Sequence, residues 1–415
     1  MTMFFSIKKA IKGSCTALTA ASALILGAVT VLSQQLPGRF SVVEGSALEL
    51  QGAVAASDLS FAGDAQEVSA LEAGSSYTAS LKLMGLFPVK DVTVSVVEPT
   101  MVVPCGQPFG IKMFTDGVLV VGMSDVDTES GSYNPARSAG MKIGDVIISI
   151  NGTAVTRTEQ VAELVEQSEG KTMDFHIRRD NIAFDIKFVP AKSVNENRWK
   201  AGLWVRDSSA GIGTLTFYDP SSSVFGGLGH AVCDVDTGET LPLSSGEIVP
   251  ARIYDVEKGE SGSPGELRGG FEEGTLGNLT VNGETGIYGT LEMFPDASEC
   301  LPVAMKQQVK TGAAQILTTL DGTAPQLYDI QIKQVRYNDS SPTRNMVIEV
   351  TDSELLEKAG GIVQGMSGSP ILQDGRLVGA VTHVFVNDPT QGFAIFAENM
   401  LKTAQSVEEV QKTAA

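Results

Sequence analysis

Cations, histidine, cysteine and aromatic residues are all scarce in this 415-residue chain, and each scarcity closes off a class of function. Lysine and arginine number 30 against 49 acids, a formal charge of −19. Phosphate neutralisation needs clustered cations, so a general nucleic-acid binder is excluded. The four cysteines, Cys15, Cys105, Cys233 and Cys300, are too widely spaced for a disulfide framework. His230-x-x-Cys233 is followed by no second ligand pair, so neither a metal nor another cofactor is expected. No long apolar run occurs beyond the N-terminus, which excludes a polytopic membrane protein. With three histidines in all, any imidazole chemistry must come from His176, His230 or His383.

What is present is a globular composition, 42% hydrophobic and 19% charged, long enough for two or three domains. Its 44 glycines point to many tight turns and a mainly β fold. Lys8, Lys9 and Lys12 precede an uncharged stretch from Gly13 to Gly38 with an apolar core at Ala17–Leu32. A basic flank ahead of such a run is an export signal. Residues 1–33 therefore read as a signal or membrane anchor. Residues 34–75 are small, polar and acidic and read as a linker. Alternating β-branched residues around 77–83 and 92–97 then make a small β region, closing at about 100.

A module follows over 101–192. Two short strands at Ile111–Phe114 and Val118–Val121 lead to the run Ser138-Ala139-Gly140-Met141-Lys142-Ile143-Gly144-Asp145-Val146-Ile147-Ile148-Ser149-Ile150-Asn151-Gly152. Val161, Leu164 and Val165 then mark the apolar stripe of a helix. This run resembles a PDZ domain of the bacterial type. The resemblance implies that Phe109, Gly110 and Ile111 form the loop whose amides hold a terminal carboxylate. An extended peptide or protein segment would then add as a strand beside Ile111–Phe114.

Residues 197–405 alternate short strands with glycine-rich turns, ahead of a tail at 406–415. Gly365-Met366-Ser367-Gly368-Ser369-Pro370, followed by a hairpin turning at Asp374-Gly375, resembles the nucleophile segment of chymotrypsin-like serine peptidases. A serine there sits on a tight turn, with the Gly365 and Ser367 amides as oxyanion donors. Ser261 lies in a similar Ser-Gly-Ser-Pro string, but among charges and without the apolar hairpin, so Ser367 is the expected nucleophile. His176 falls on a PDZ strand and His383 on the strand after the hairpin, which leaves His230 as base. For the third member, Asp352 competes with Asp234 and Asp236, and Asp352 also reads as the cap of a helix at 353–358.

Export segment, PDZ module, Gly227-Leu228-Gly229-His230 and Gly360-Gly361-Ile362-Val363-Gln364-Gly365-Met366-Ser367-Gly368-Ser369-Pro370 together resemble the SpoIVB serine peptidase family over residues 76–405. The resemblance implies Ser367 as nucleophile, His230 as base and Asp352 as acid. It implies a self-cleaving endopeptidase exported across the forespore membrane into the intermembrane space. There it would cut a membrane-bound regulator and so trigger activation of a mother-cell sigma factor by intramembrane proteolysis. The alternative is a membrane-tethered PDZ adaptor whose peptidase-like region is not catalytic.

Overall fold

The computed structural model describes residues 2–50, 52, 54–61, 71–180, 182–295, 299–337 and 340–414. A helix spans Thr2–Gln35. Among the described residues no helix is long and apolar enough to cross a membrane. A four-stranded sheet follows, in the order Val54–Phe61, Ser76–Leu83, Phe87–Val97, Arg39–Val43 read from one edge. Two of its strands come from the stretch expected to be a linker. Arg39–Val43 pairs in parallel with Phe87–Val97, Phe40 opposite Val94, and buries Phe40 and Val42 with Tyr77, Leu81 and Val94. Local polarity argues for a loop, but the non-local pairing and the two buried side chains outweigh it. Residues 62–70 of that stretch lie outside the described residues.

Two six-stranded barrels carry the rest. The second closes in the order Gly312–Thr318, Gln326–Val335, Met346–Val350, Asp388–Phe396, Arg376–Phe385, Pro370–Gln373. Its strands alternate as a half-buried strand must: Tyr328, Ile330 and Ile332 point inward, with Asp329 and Gln331 outward between them. The helix Ala397–Ala414 packs across both barrels through Met400, Leu401, Ala404 and Val407, which meet Val224 and Tyr288 of one and Ala380 and Ile395 of the other. The expected tail at 406–415 is thus helical to Ala414, because Val407 is buried.

The first barrel corrects the expected domain boundaries. Its ring runs through Pro108–Met123, Leu243–Glu257, Gly277–Gly283, Gly286–Leu291, Val224–Gly227 and Leu203–Tyr218, the last pairing back onto the first. In this ring Ile111 stands between Gly211 and Ile248, and Phe109 between Gly213 and Pro250. Residues 108–115 are therefore a barrel strand, not part of the PDZ module. The two long strands Pro108–Met123 and Leu203–Tyr218 leave the barrel side by side and stay paired, Leu119 opposite Arg206 and Gly122 opposite Trp204. Beyond Gly117 the first of them pairs with Val146–Ile150 of the PDZ module. A Cβ on Gly117 would stand 2.7 Å from the Ile147 carbonyl, and its φ is +98°. The PDZ module is thus inserted between two adjacent strands of the first barrel. Its core is Val118, Ile147, Ile150, Val161, Val165, Phe175 and Ile177.

A chain beginning at residue 197 lacks one staff of the first barrel. Phe109, Ile111 and Met113 are all buried, and losing three such side chains removes roughly 5–9 kcal/mol from a total of about 5–15 kcal/mol. Far-UV circular dichroism melts should show a cooperative transition for residues 101–415 and none for 197–415; a cooperative melt of the shorter chain would refute this account of the barrel.

Candidate active site

Gly365 and Gly368 both take φ +95°, and the two residues between them form a turn that presents Ser367 at its tip. Met366 is fully buried beneath the turn. First-barrel side chains hold its carbonyls: Thr214 Oγ1 donates to Gly365 O at 2.8 Å, Thr214 N to Ser367 O at 3.0 Å and Thr216 Oγ1 to Gly368 O at 2.7 Å. The peptide planes that carry the amides of 365 and 367 are fixed from their far sides. Gln364 O accepts from Leu267 N at 2.8 Å, and Met366 O from Ser369 N at 2.9 Å. A trans peptide points its N–H away from its carbonyl. The Gly365 and Ser367 N–H groups have no hydrogen-bond partner among the described residues, whereas those of Met366, Gly368 and Ser369 are all bonded. Two neighbouring free donors beside a serine hydroxyl are the geometry that holds an oxyanion. Ser367 Oγ itself donates to Thr382 O at 2.8 Å.

His230 follows the strand Val224–Gly227 through two left-handed residues, Leu228 at φ 64° and Gly229 at φ +71°. The second must be glycine, since a Cβ there would come within 3.0 Å of Ile395 and Thr382 in the other barrel. His230 Nδ1 lies 2.8 Å from Ala231 O. A carbonyl only accepts, so Nδ1 donates and Nε2 keeps the lone pair. Burial pushes the imidazole pKa below the usual histidine value, with the Ala231 bond opposing it. The loop beyond is stapled by Asn282, whose Oδ1 accepts from Val232 N at 2.8 Å. Its Nδ2 donates to Val232 O and Leu241 O, both at 2.9 Å. Sequence reasoning missed Asn282; a lone asparagine near the end of a strand carries no signal by itself.

His230 and Ser367 face a common cleft of about 1150 Å³ between the barrels, which His383, Arg344, Gly365 and Thr382 also line. The rings of His230 and His383 lie 5.0 Å apart with planes 35° apart. His383 Nδ1 is buried without a hydrogen-bond partner among the described residues. Its pKa is pushed down to about 4, first by burial and then by the neighbouring His230 and Arg344.

Other expected site residues go elsewhere. The Asp352 carboxylate caps the helix Ser353–Ala359: Oδ1 accepts from Glu354 N at 2.9 Å and Leu355 N at 3.1 Å, and Oδ2 from Asp329 N at 3.3 Å. It does not line the cleft, and the capping role wins because both oxygens are already engaged. Asp234 and Asp236 bond Arg206 rather than the imidazole. Glu266 and Glu284 line the cleft but do not hydrogen-bond His230. His176 pairs with Asp185 at 2.7 Å on the PDZ sheet. Ser261 lies on an exposed turn with its hydroxyl on Asn387 O, away from the cleft.

Phe109, Gly110 and Ile111 do not form a carboxylate-binding loop. Their strand is paired on both sides, and a Cβ on Gly110 would stand 2.6 Å from Phe271 and Val249, so the glycine serves barrel packing. The PDZ groove of about 350 Å³ instead runs between the helix Thr158–Gln167 and the start of Leu203–Tyr218. Val161, Val165, Leu203 and Val205 line it, and Ala201-Gly202-Leu203-Trp204 forms its end. That small-Gly-apolar-aromatic string is the overlooked signal, hidden because the groove strand comes last in the module.

Residues 197–401 match the SpoIVB peptidase S55 family and residues 133–179 match the PDZ domain. A 71-residue segment is 38% identical to "Serine protease HTRA1" of Xenopus tropicalis, covering 15% of this chain and 15% of that relative. Among solved structures, the active form of the Rv3671c protease from M. tuberculosis aligns at 16% identity and a TM-score of 0.27, over 48% of this chain and 74% of that one. The HtrA-type protease AlgW with decapeptide aligns at 15% identity and a TM-score of 0.30, over 49% and 55%. The SpoIVB peptidase S55 match falls on the stretch that bears His230 and Ser367, and the PDZ match on the module inserted in the first barrel.

Proposed function

We propose that Ser367 is the nucleophile, His230 its base, and the amides of Gly365 and Ser367 the oxyanion hole. The carrying observation is that a serine, an imidazole with a free Nε2 and two unpartnered amides share one cleft. In the resting enzyme the serine hydroxyl donates its hydrogen bond to Thr382 O. Substrate entry turns the hydroxyl to His230 Nε2, which takes the proton as Oγ attacks the scissile carbonyl. The oxyanion forms against the two amides. The imidazolium then protonates the leaving amine, and a water, deprotonated in turn by His230, releases the acyl group. Among the described residues no carboxylate hydrogen-bonds His230; the Ala231 carbonyl takes that place.

The finer reading rests on family and sequence. An extended protein segment lies in the PDZ groove, beside the unpaired edge of Leu203–Val205, and brings the substrate to the cleft. Three lysines in the first turns of the N-terminal helix, ahead of its uncharged stretch, support export, with the catalytic part acting at a membrane surface. The family supports a self-cleaving signalling peptidase of sporulation, acting on a membrane-bound regulator in the space between the forespore membranes.

Three measurements follow from this assignment. Intact mass spectrometry with a fluorophosphonate should place one adduct on Ser367. Labelling and self-cleavage should fall at least about a thousandfold in Ser367→Ala and His230→Ala and persist in Ser261→Ala. Unchanged fragments from Ser367→Ala would overturn the assignment.

The labelling rate should fall on acidification with a midpoint below that of a free imidazole, because burial lowers the His230 pKa. A midpoint at or above that of a free imidazole would contradict this.

His383 adds a stability effect. Its folded pKa of about 4 lies below the unfolded value, so the unfolded chain takes up the proton first. Stability is full above the unfolded value and declines as pH falls towards about 4. Thermal melts should show a smaller decline in His383→Gln, and equal declines would exclude this source.

A further inference from the structure

The loop after His230 is gripped by a residue that belongs to neither the cleft nor the PDZ groove. Arg206 lies on Leu203–Tyr218, between Val205, which lines the PDZ groove, and Asp207, whose carboxylate accepts from Thr158 N at 2.8 Å at the start of the groove helix. Side chains alternate along a strand, so Arg206 faces the other way. Its Nη1 pairs with Asp234 and its Nη2 with Asp236 at 2.8 Å. The Asp234 side chain is fully buried and its Oδ1 also accepts from Asp236 N and Thr237 N, both at 3.0 Å. Asp234 N donates to Glu239 O at 2.9 Å and Gly238 N to Asp234 O at 2.8 Å, which folds the loop around this one carboxylate. Four residues before Asp234 stands His230, and the same long strand continues to Thr214, which holds the nucleophile turn.

We propose that Arg206 is a positioning residue for His230, tying the loop that orients the base to the strand that leaves the PDZ groove. The inference rests on the assignment of Ser367 and His230 given above. It makes the PDZ insertion part of the catalytic frame: the residues flanking Arg206 build the groove, and Arg206 itself sets the loop. A buried carboxylate that loses its cation keeps its desolvation cost, so the loop must rearrange when Arg206 is removed. A displacement of about 1 Å at a base can cost up to about a hundredfold in rate.

The test uses the full chain with Arg206→Met, Arg206→Lys, Asp236→Asn and His230→Ala, followed by fluorophosphonate labelling of Ser367 at several probe concentrations and by thermal melting. Arg206→Met should lower the maximal labelling rate about tenfold to a hundredfold while half-saturation by the probe stays within about twofold, since the oxyanion turn is held from Thr214 and Thr216 and not from this loop. Arg206→Lys should recover most of the rate, because an ammonium still satisfies Asp234. Wild-type labelling in a folded Arg206→Met chain, with His230→Ala inactive, would overturn the proposal alone. Wild-type labelling in His230→Ala would instead overturn the assignment beneath it. Should Arg206→Met fail to fold, Asp236→Asn decides: its half-exposed carboxylate can be neutralised without opening the core, and a rate equal to wild type would equally overturn the proposal.

Discussion

One antiparallel strand pair, Pro108–Met123 against Leu203–Tyr218, sets the position of everything that matters to the chemistry. At one end its backbone bonds belong to the PDZ module, and at the other they close the first barrel. Thr214 and Thr216 on the same pair hold the carbonyls of the nucleophile turn. An isolated hairpin is marginal in water; this one persists because each end is buried in a different core, Phe109 and Ile111 in the barrel and Val118 and Val120 in the PDZ module. The register cannot slip by one residue at either end without turning a core face to solvent. Two domains that could otherwise drift as beads on a linker are therefore fixed in register by the same ladder.

That arrangement explains which parts of the fold were legible in the sequence. Short-range chemistry reads well. The Gly365–Pro370 turn needs two left-handed glycines flanking Met366 and Ser367, and the Gly144-Asp145 pair needs a buried carboxylate that Arg179 can bind. Ownership of a strand is different, because it depends on partners far away in the chain. Residues 108–115 stand next to the PDZ run in sequence, yet their partners are 208–214 and 243–250. The strand Arg39–Val43 likewise has an acidic, polar neighbourhood and a buried destiny that only its pairing with Phe87–Val97 reveals. The PDZ groove was placed at the wrong end of the module for the same reason.

The site divides along a similar line. Ser367 and His230, singled out by a glycine-rich turn and by the scarcity of histidines, do meet in one cleft. The expected acid does not join them. The family resemblance singles out Asp352, but a carboxylate at the start of a helix meets two amides before it meets anything distant, and those bonds hold its Oδ1 at the cap. Nor does chain position predict that His383 packs against His230, since that contact is made across the two barrels.

Without a carboxylate on the imidazole, charge in the cleft must balance in another way. The chain carries −19 overall, a field that favours protonated histidine, yet both cleft imidazoles are shifted towards the neutral form. Screening confines exposed charges to about 8 Å at physiological salt, whereas desolvation acts at the ring itself, so burial wins. Two imidazoles 5.0 Å apart also resist sharing two positive charges. A proton arriving on His230 is therefore poorly stabilised until a negative charge appears nearby. The charge that appears is the oxyanion, formed in the same step as the proton transfers. In the proposed mechanism imidazolium and oxyanion arise as a pair beside a buried ring, where water screens their attraction less than in bulk, so the base gains its proton when a substrate carbonyl is in place to take the other charge.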